Sequence, residues 1–359
     1  MRESALWPSL AEYWHPVALS EDVDEGPLAV RLLDERVVVC RLGSGEVRAF
    51  HDLCVHRGTP ISLGWVEGET IVCAYHGWAY DGDGKCIRIP SIPSGHPIPK
   101  KACLAHYPAS ERYGIIWVCL AEKPRAPIPD VPEFEDPSYR IYFRQRKPWQ
   151  CTAARAIENF VDFAHFPWIH DGILGDRDQP LAPIVDVRQD GEDLWFEANF
   201  STSVEKLAAD TDIADPDPFR RRYRLTRPFS IVQWMRMPED KTEIYFYPCT
   251  PHSARESTRF LIVARNYDFD APEVVHGPIT VKGEEMKSRD GAIDGRMPEC
   301  IHILDLISDQ DKPIVENQRP EELPLDLTEE LHVRGPDAVA VAYRRFMREL
   351  GVEIDGPPS

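Results

Sequence analysis

The 359-residue sequence lacks a surplus of basic residues, a long apolar run, an internal repeat and any low-complexity tract. Its 41 Lys and Arg stand against 60 Asp and Glu, and the formal net charge of -19 gives a field that repels phosphate backbones and anionic lipid. The longest apolar runs, such as residues 115–121, are far short of a bilayer span. We therefore expect neither a nucleic-acid partner nor a membrane partner.

The N-terminal residues and the cysteines indicate the cellular compartment. Residues 1–15 carry charge and tryptophans where a signal peptide would have an uninterrupted apolar stretch. The nine cysteines are an odd number without the spacing of a small disulfide scaffold, which fits a reducing compartment. We expect a cytoplasmic protein.

Strand-like segments and prolines divide the chain into two domains. Short alternating segments separated by turn residues fill residues 28–120 and predict an all-β module. The proline-rich stretch 123–137 reads as an extended connector. We place the two domains at residues 1–130 and 131–359.

The second domain mixes helical and strand-like patterns. Apolar residues recur at helical spacing in three segments, namely 152–166, 301–317 and 337–350. Strand-like segments lie between them, and 184–187 is one of these. The predicted fold class is therefore α+β. In this domain Ile231, Trp234 and Phe246 could line a pocket, but strand alternation makes the core the better interpretation for any one of them.

Four candidate iron ligands form two similar arms, Cys54-x-His56 and Cys73-x-x-His76. A Rieske 2Fe-2S centre binds one iron through two cysteines and the other through two histidines. A glycine follows each arm and lets the backbone fold closely around an inorganic core. A structural zinc site of Cys2His2 type has the same four ligands. Such sites usually pair cysteine with cysteine and histidine with histidine, whereas each arm here is mixed, so we predict the cluster.

A second group, Asp162-x-x-His165 followed by His170, offers ligands for a lone iron. In one regular helix His165 and His170 would lie on different faces. Pro167 disfavours helical geometry at Phe166, so we expect a helix break there that returns His170 to the metal.

A lone iron also needs a carboxylate, as in the 2-His-1-carboxylate arrangement that leaves positions open for dioxygen. The later helical segment offers Asp309 and Asp311. The competing interpretation is that the two histidines are unrelated, one buried and one at the surface, and that Asp162 makes a local cap or salt bridge.

These motifs resemble the α subunits of the Rieske non-haem iron oxygenases over nearly the whole chain. Segments 54–58 and 73–78 resemble the cluster loops of that family, and 158–165 with His170 resembles its iron helix. Gln310-Asp311 followed by Glu316 resembles the segment that gives the third iron ligand, which favours Asp311. Three further stretches are similar to the branch that includes saxitoxin-tailoring hydroxylases and aromatic O-demethylases, namely 111–114, 170–177 and 342–345.

The resemblance implies a Rieske β domain followed by a helix-grip catalytic domain, assembled as a homotrimer. It also implies that Asp162 bridges His76 of one subunit to His165 of the next, and that Asn159 lies near the iron. A helix salt bridge and a surface amide are the respective alternatives. The sequence has no dinucleotide fingerprint and no plant-type ferredoxin cysteine run, so electrons must come from a separate reductase or ferredoxin.

The leading hypothesis is a terminal oxygenase that hydroxylates, or O- or N-demethylates, a small to mid-sized organic molecule with dioxygen. Aromatic cis-dihydroxylation is one alternative. A non-enzymatic Rieske electron carrier is the other, and it would have no metal in the second domain.

Overall fold

The computed structural model describes residues 6–93, 95–198, 200, 220–267, 280–281, 284–285 and 299–352. The chain forms two compact units. One contains Leu6–Asp130 with Thr250–Ser253, and the other contains Val131–Cys249 and the chain from Ala254 onward. None of the described helices is long and apolar enough to cross a membrane.

In its described residues the first unit has three small antiparallel sheets and one short α-helix, α1 (Trp7–Leu10). Its strands are β1 (His15–Leu19), β2 (Leu28–Leu32), β3 (Glu35–Arg41), β4 (Val47–His51), β5 (Trp65–Glu67), β6 (Thr70–Val72), β7 (Ala79–Tyr80), β8 (Cys86–Arg88), β9 (His106–Tyr107), β10 (Ala109–Arg112) and β11 (Ile115–Val118). The sheet orders are β1-β11-β10, β2-β3-β4-β9 and β5-β6-β7-β8.

The second unit contains a seven-stranded antiparallel sheet, ordered β12-β18-β17-β16-β15-β14-β13. Its strands are β12 (Arg140–Trp149), β13 (Arg188–Asp190), β14 (Asp193–Glu197), β15 (Arg220–Thr226), β16 (Ser230–Arg236), β17 (Thr242–Ser253) and β18 (Glu256–Arg265). A separate pair, β19 (Thr280–Val281) and β20 (Glu284–Glu285), forms a two-stranded sheet. No strand covers residues 184–187, where one was expected, and Ile184 is 93% exposed.

The described helices of this unit are α2 (Ala153–Val161), α3 (Phe166–Ile169), α4 (Glu299–Val315) and α5 (Ala338–Val352). Helix α2 begins where the Thr152 hydroxyl accepts a hydrogen bond from the Arg155 backbone N–H, and it packs against β18, α4 and α5. It ends at Val161, well before the expected residue 166. Pro167 therefore does not break α2 but lies in the first turn of α3, where the N–H that proline lacks is not needed.

Candidate metal centres

The two cysteine-histidine arms of the first unit have the same backbone conformation. The Gly58 N–H donates to the Cys54 carbonyl at 2.9 Å, and the Gly77 N–H donates to the Cys73 carbonyl at 3.0 Å. Both glycines have positive φ, 67° and 68°, which a residue with a side chain rarely adopts. The arms are thus two copies of one tight turn, and each presents a cysteine and a histidine.

The sulfur end of this site is buried and the imidazole end is open. Cys54 and Cys73 are 4% and 1% exposed, whereas His76 is exposed. The rings of His56 and His76 meet edge to face at 4.5 Å between centroids. Burial, assisted by the Cys54 thiol, raises the pKa of Cys73, so iron binding must displace a thiol proton.

The surroundings of one ring nitrogen, His56 Nδ1, are evidence that a metal binds here. His56 stacks on Trp78 with a centroid distance of 4.5 Å, and its Nδ1 is buried without a hydrogen-bond partner in the described part of the chain. A buried polar atom is costly unless something satisfies it, and a metal bond does so. The donor set of two thiols and two imidazoles fits a 2Fe-2S cluster.

The second unit brings His165, His170 and Asp311 together at one point. The two Nε2 atoms are 3.2 Å apart, and Asp311 Oδ1 lies 3.3 Å from His165 Nε2 and 2.9 Å from His170 Nε2. Ligands about 2.1 Å from a common centre and at right angles to each other are about 3.0 Å apart, so these three atoms fit one face of an octahedral metal. Within the described ranges this is the only group of three or more His, Cys, Asp or Glu residues whose ligand atoms all lie within 4.8 Å of one another.

The two histidines converge because α3 is short. His165 is the residue before α3 and His170 is the residue after it, so the rings stand at opposite ends of a four-residue helix. The His170 ring is fully buried, and Gln310 Oε1 lies 2.8 Å from its Nδ1. If Nδ1 carries the proton, it donates to Gln310 and leaves Nε2 free to bind a metal. This role of Gln310 was not predicted from the sequence, in which its place beside Asp311 is the available signal.

Asp309, the alternative third ligand, is engaged elsewhere. Its Oδ1 lies 3.1 Å from Lys147 Nζ, and Lys147 also pairs with Asp305 at 2.9 Å. Two residues along a helix rotate the side chain by about 200°. Asp311 therefore faces the histidines, while Asp309 faces β12.

The charges of the triad are coupled. Burial disfavours the charged form of His165, but Asp162 and Asp311 outweigh it and raise the pKa of His165 to about 9. Burial also disfavours the Asp311 carboxylate, yet hydrogen bonds from His165 and His170 lower the pKa of Asp311. The site thus favours positive charge at the point where the ligand atoms meet, as a bound cation would supply.

Asp162 and Asn159 lie on different sides of the triad. Asp162 Oδ2 is 3.5 Å from His165 Nδ1, and the Asp162 side chain is 39% exposed, so it can be reached from outside. Asn159 lines a cavity beside the triad, and its Oδ1 is buried without a partner among the described residues.

That cavity measures about 270 Å³ and contains His165 and Asp311 in its wall. Most of the wall is aromatic or aliphatic, and its Phe and Tyr rings belong to Phe160, Phe166, Phe200, Tyr223, Tyr245, Tyr247 and Phe260. On β16 and β17 the residues that line it alternate with Trp234 and Phe246, which face away. Ile231 does not line the cavity either, and it is fully buried in the core. The size suits a small aromatic molecule.

Two known domain families match successive parts of the chain. The Rieske [2Fe-2S] domain matches residues 13–108, and the Vanillate O-demethylase oxygenase C-terminal domain matches residues 149–353. Methylxanthine N1-demethylase NdmA of Pseudomonas putida is 32% identical over 352 residues, covering 95% of this chain and 89% of NdmA. The chain belongs to the Rieske non-haem iron oxygenases.

Two further proteins extend the comparison. Methylxanthine N3-demethylase NdmB of Pseudomonas putida is 27% identical over 358 residues, covering 96% of this chain and 90% of NdmB. The structure of Pseudomonas putida NdmA with caffeine has a TM-score of 0.79 at 30% identity, covering 98% of this chain and 94% of that one. Dicamba monooxygenase, with a TM-score of 0.73 at 18% identity over 97% of this chain and 99% of that one, shares the fold.

The assignment confirms the predicted family and the α+β fold, a Rieske β domain followed by a catalytic domain. The chain is a terminal oxygenase, and its cofactors are a 2Fe-2S cluster and a mononuclear iron. Rieske oxygenases act on small organic molecules with dioxygen and electrons from a separate reductase system. An electron carrier without a second metal does not fit a chain with an oxygenase domain.

Proposed function

We propose that this oxygenase demethylates a small aromatic or heteroaromatic compound at nitrogen or oxygen. The observation that carries the proposal is the similarity to NdmA over 95% of the chain, combined with a largely apolar cavity that has two residues of the triad, His165 and Asp311, in its wall. The match of residues 149–353 to the vanillate O-demethylase domain supports the same reaction class.

Each metal centre is assigned to the group of side chains whose ligand atoms suit it. Cys54 and Cys73 hold one iron of the cluster and His56 and His76 hold the other, while a triad of His165, His170 and Asp311 holds the mononuclear iron. The orphaned Nδ1 of His56 and the spacing of 2.9 to 3.3 Å within the triad support this assignment. The bound cofactors supply electrons and the activation of dioxygen. Residues 1–130 are the cluster domain and 131–359 the oxygenase domain.

The protein's own side chains position the reactants. Gln310 fixes the orientation of the His170 ring through Nδ1. Asn159 places an amide oxygen at the cavity wall, near the triad. The rings of Phe160 and Tyr247, with centroids 3.9 Å apart and planes tilted by 44°, line one side of the cavity, where a planar substrate packs against them and excludes water.

The reaction balances with one dioxygen, two electrons and two protons per methyl group. One oxygen atom enters a methyl C–H bond and the other leaves as water. The hydroxymethyl product then breaks its C–N or C–O bond, which releases formaldehyde and leaves N–H or O–H on the ring.

Electron transfer between subunits completes the proposal. The chain forms a homotrimer in the cytoplasm, and Asp162 connects His76 of one copy to His165 of another. The exposure of His76 and Asp162 supports this route, because each can be reached by a second copy. A separate reductase or ferredoxin reduces the cluster.

A panel of N-methyl and O-methyl aromatic compounds, incubated with a surrogate reductase, tests the reaction. We expect formaldehyde in a one-to-one ratio with a product that has lost one CH2. Ring diols that have gained two oxygen and two hydrogen atoms, with no formaldehyde, would refute demethylation and favour cis-dihydroxylation.

A further inference from the structure

One arginine of the cavity wall has no counter-ion in the part of the chain that the structure describes. Arg259 lies on β18 and lines the cavity with Asp311. No described carboxylate is within ion-pair distance of its guanidinium, and its Nη1 is enclosed without a hydrogen-bond partner. Nη1 itself is out of reach, but a guanidinium has five N–H donors, so the donors on the other two nitrogens can still bind acceptors.

The indole of Trp149 holds this guanidinium in place. The guanidinium carbon lies 4.1 Å from the centre of the Trp149 ring, and Trp149 is fully buried. A cation-π contact orients a positive charge without neutralising it. Arg259 is therefore fixed at the cavity wall and still charged.

The neighbouring acids are already engaged. Lys147 stands directly opposite Arg259 on β12, and its ammonium lies between Asp305 and Asp309 at 2.9 and 3.1 Å. Glu243, another carboxylate of the cavity, accepts a hydrogen bond from the Tyr245 hydroxyl at 2.7 Å.

Arg259 and the triad act on the same part of the cavity. Burial raises the pKa of Tyr247, Arg259 opposes this shift, and Asp311 adds to it. Tyr247 lines the same cavity as Arg259 and Asp311, so a ring packed against Tyr247 shares that cavity with both charges.

We propose that Arg259 binds an anionic oxygen of the substrate, so that the substrate is a methylated aromatic carboxylate and not a neutral methylxanthine of the kind for which NdmA is named. The planar fork of a guanidinium matches a carboxylate and gives stronger hydrogen bonds than a neutral acceptor does. The aromatic walls then hold the ring and direct its methyl group toward the triad. This inference rests on the proposed demethylase function.

The binding of two probes of equal shape tests the proposed role of Arg259. The metal-loaded protein, without reductant, is titrated by calorimetry with 4-methoxybenzoate and with 4-methoxybenzamide. We expect the acid to bind roughly 10- to 100-fold more tightly than the amide, as a hydrogen bond to a charged group predicts. Arg259→Met keeps the packing on Trp149. It should lower the affinity for the acid by that factor and leave the affinity for the amide unchanged. Arg259→Lys should recover part of the lost affinity for the acid.

The matched control is Arg222→Met, because Arg222 also stacks on a tryptophan, Trp195, at 4.3 Å but does not line the cavity. It should bind both probes as the unmodified protein does. Equal affinity for the two probes, no binding of either, or an equal loss of both in Arg259→Met overturns the inference. The readout needs no turnover. A preserved acid preference without formaldehyde from any methylated compound would therefore refute the demethylase function alone.

Discussion

Replacing Tyr80 by Phe should lower the reduction potential of the cluster. The Tyr80 hydroxyl lies 3.1 Å from Cys54 Sγ, and the Tyr80 side chain is fully buried. A cysteine sulfur bonded to iron has no proton, so the tyrosine hydroxyl must be the donor. The reduced cluster carries one more electron, which makes its sulfur the better acceptor, and the hydrogen bond therefore favours reduction.

The size of the change follows from the strength of one buried hydrogen bond. Such a bond contributes roughly 1 kcal/mol. For a one-electron couple about 1.4 kcal/mol corresponds to about 59 mV. If the bond to Tyr80 is stronger by roughly 1 kcal/mol in the reduced state, its loss lowers the potential by roughly 40 mV.

Spectroelectrochemical titration of the purified, loaded protein measures this shift. Tyr107→Phe is the matched control, since the Tyr107 hydroxyl belongs to the same unit but donates to Glu35 at 3.0 Å. Its potential should equal that of the unmodified protein. An unchanged or higher potential in Tyr80→Phe, with the visible spectrum intact, would show that the hydroxyl does not bond the cluster sulfur.

Four further predictions concern the triad, the bridge and pH. His165→Ala should reduce iron from about three to about two per chain, keep the cluster spectrum and abolish oxygen insertion; full activity would contradict the triad. Gln310→Leu should weaken ferrous iron binding roughly 10- to 100-fold in chelator competition, whereas Gln310→Glu, which keeps an acceptor, should not. Asp162→Asn should retain both metals yet turn over far more slowly, and unchanged rates would count against the bridge. Burial lowers the pKa of His15 to about 4, below its unfolded value of 6.5, so stability is full above pH 6.5 and falls by about 3 kcal/mol on acidification to pH 4; a urea titration of His15→Gln should lack that loss.

The cluster arms could be predicted from the sequence because they are local. Each cysteine-histidine pair and its glycine lie within five residues of chain, and the tight turn that joins them needs only the positive φ of Gly58 or Gly77. The pairing of the two arms followed from the two cysteines and two histidines that a Rieske centre requires, and the family resemblance agreed with it. The ligand role of these residues stays a prediction until iron is measured.

The helix end was harder to predict, because a side chain decides it. Asp162 Oδ1 accepts a hydrogen bond from the Ala164 backbone N–H at 2.8 Å, which gives the backbone a local alternative to the next helical turn. Helical spacing continues past this point in the sequence, so the pattern predicted a helix to residue 166. Similarly, α5 continues through Gly351, where the sequence predicted its end.

The position of α2 depends on residues far along the chain. Arg344 holds the buried Glu158 carboxylate through two hydrogen bonds at 2.6 and 2.8 Å, and Glu330 pairs with Arg344 at 2.6 Å and with Arg155 at 2.7 Å. Removing one member of a buried ion pair leaves an uncompensated charge and costs several kcal/mol. These pairs therefore fix the rotation of α2, and with it the place where Asn159 enters the cavity. They also give a physical reason for the segment 342–345, which no spacing argument could have connected to the metal site.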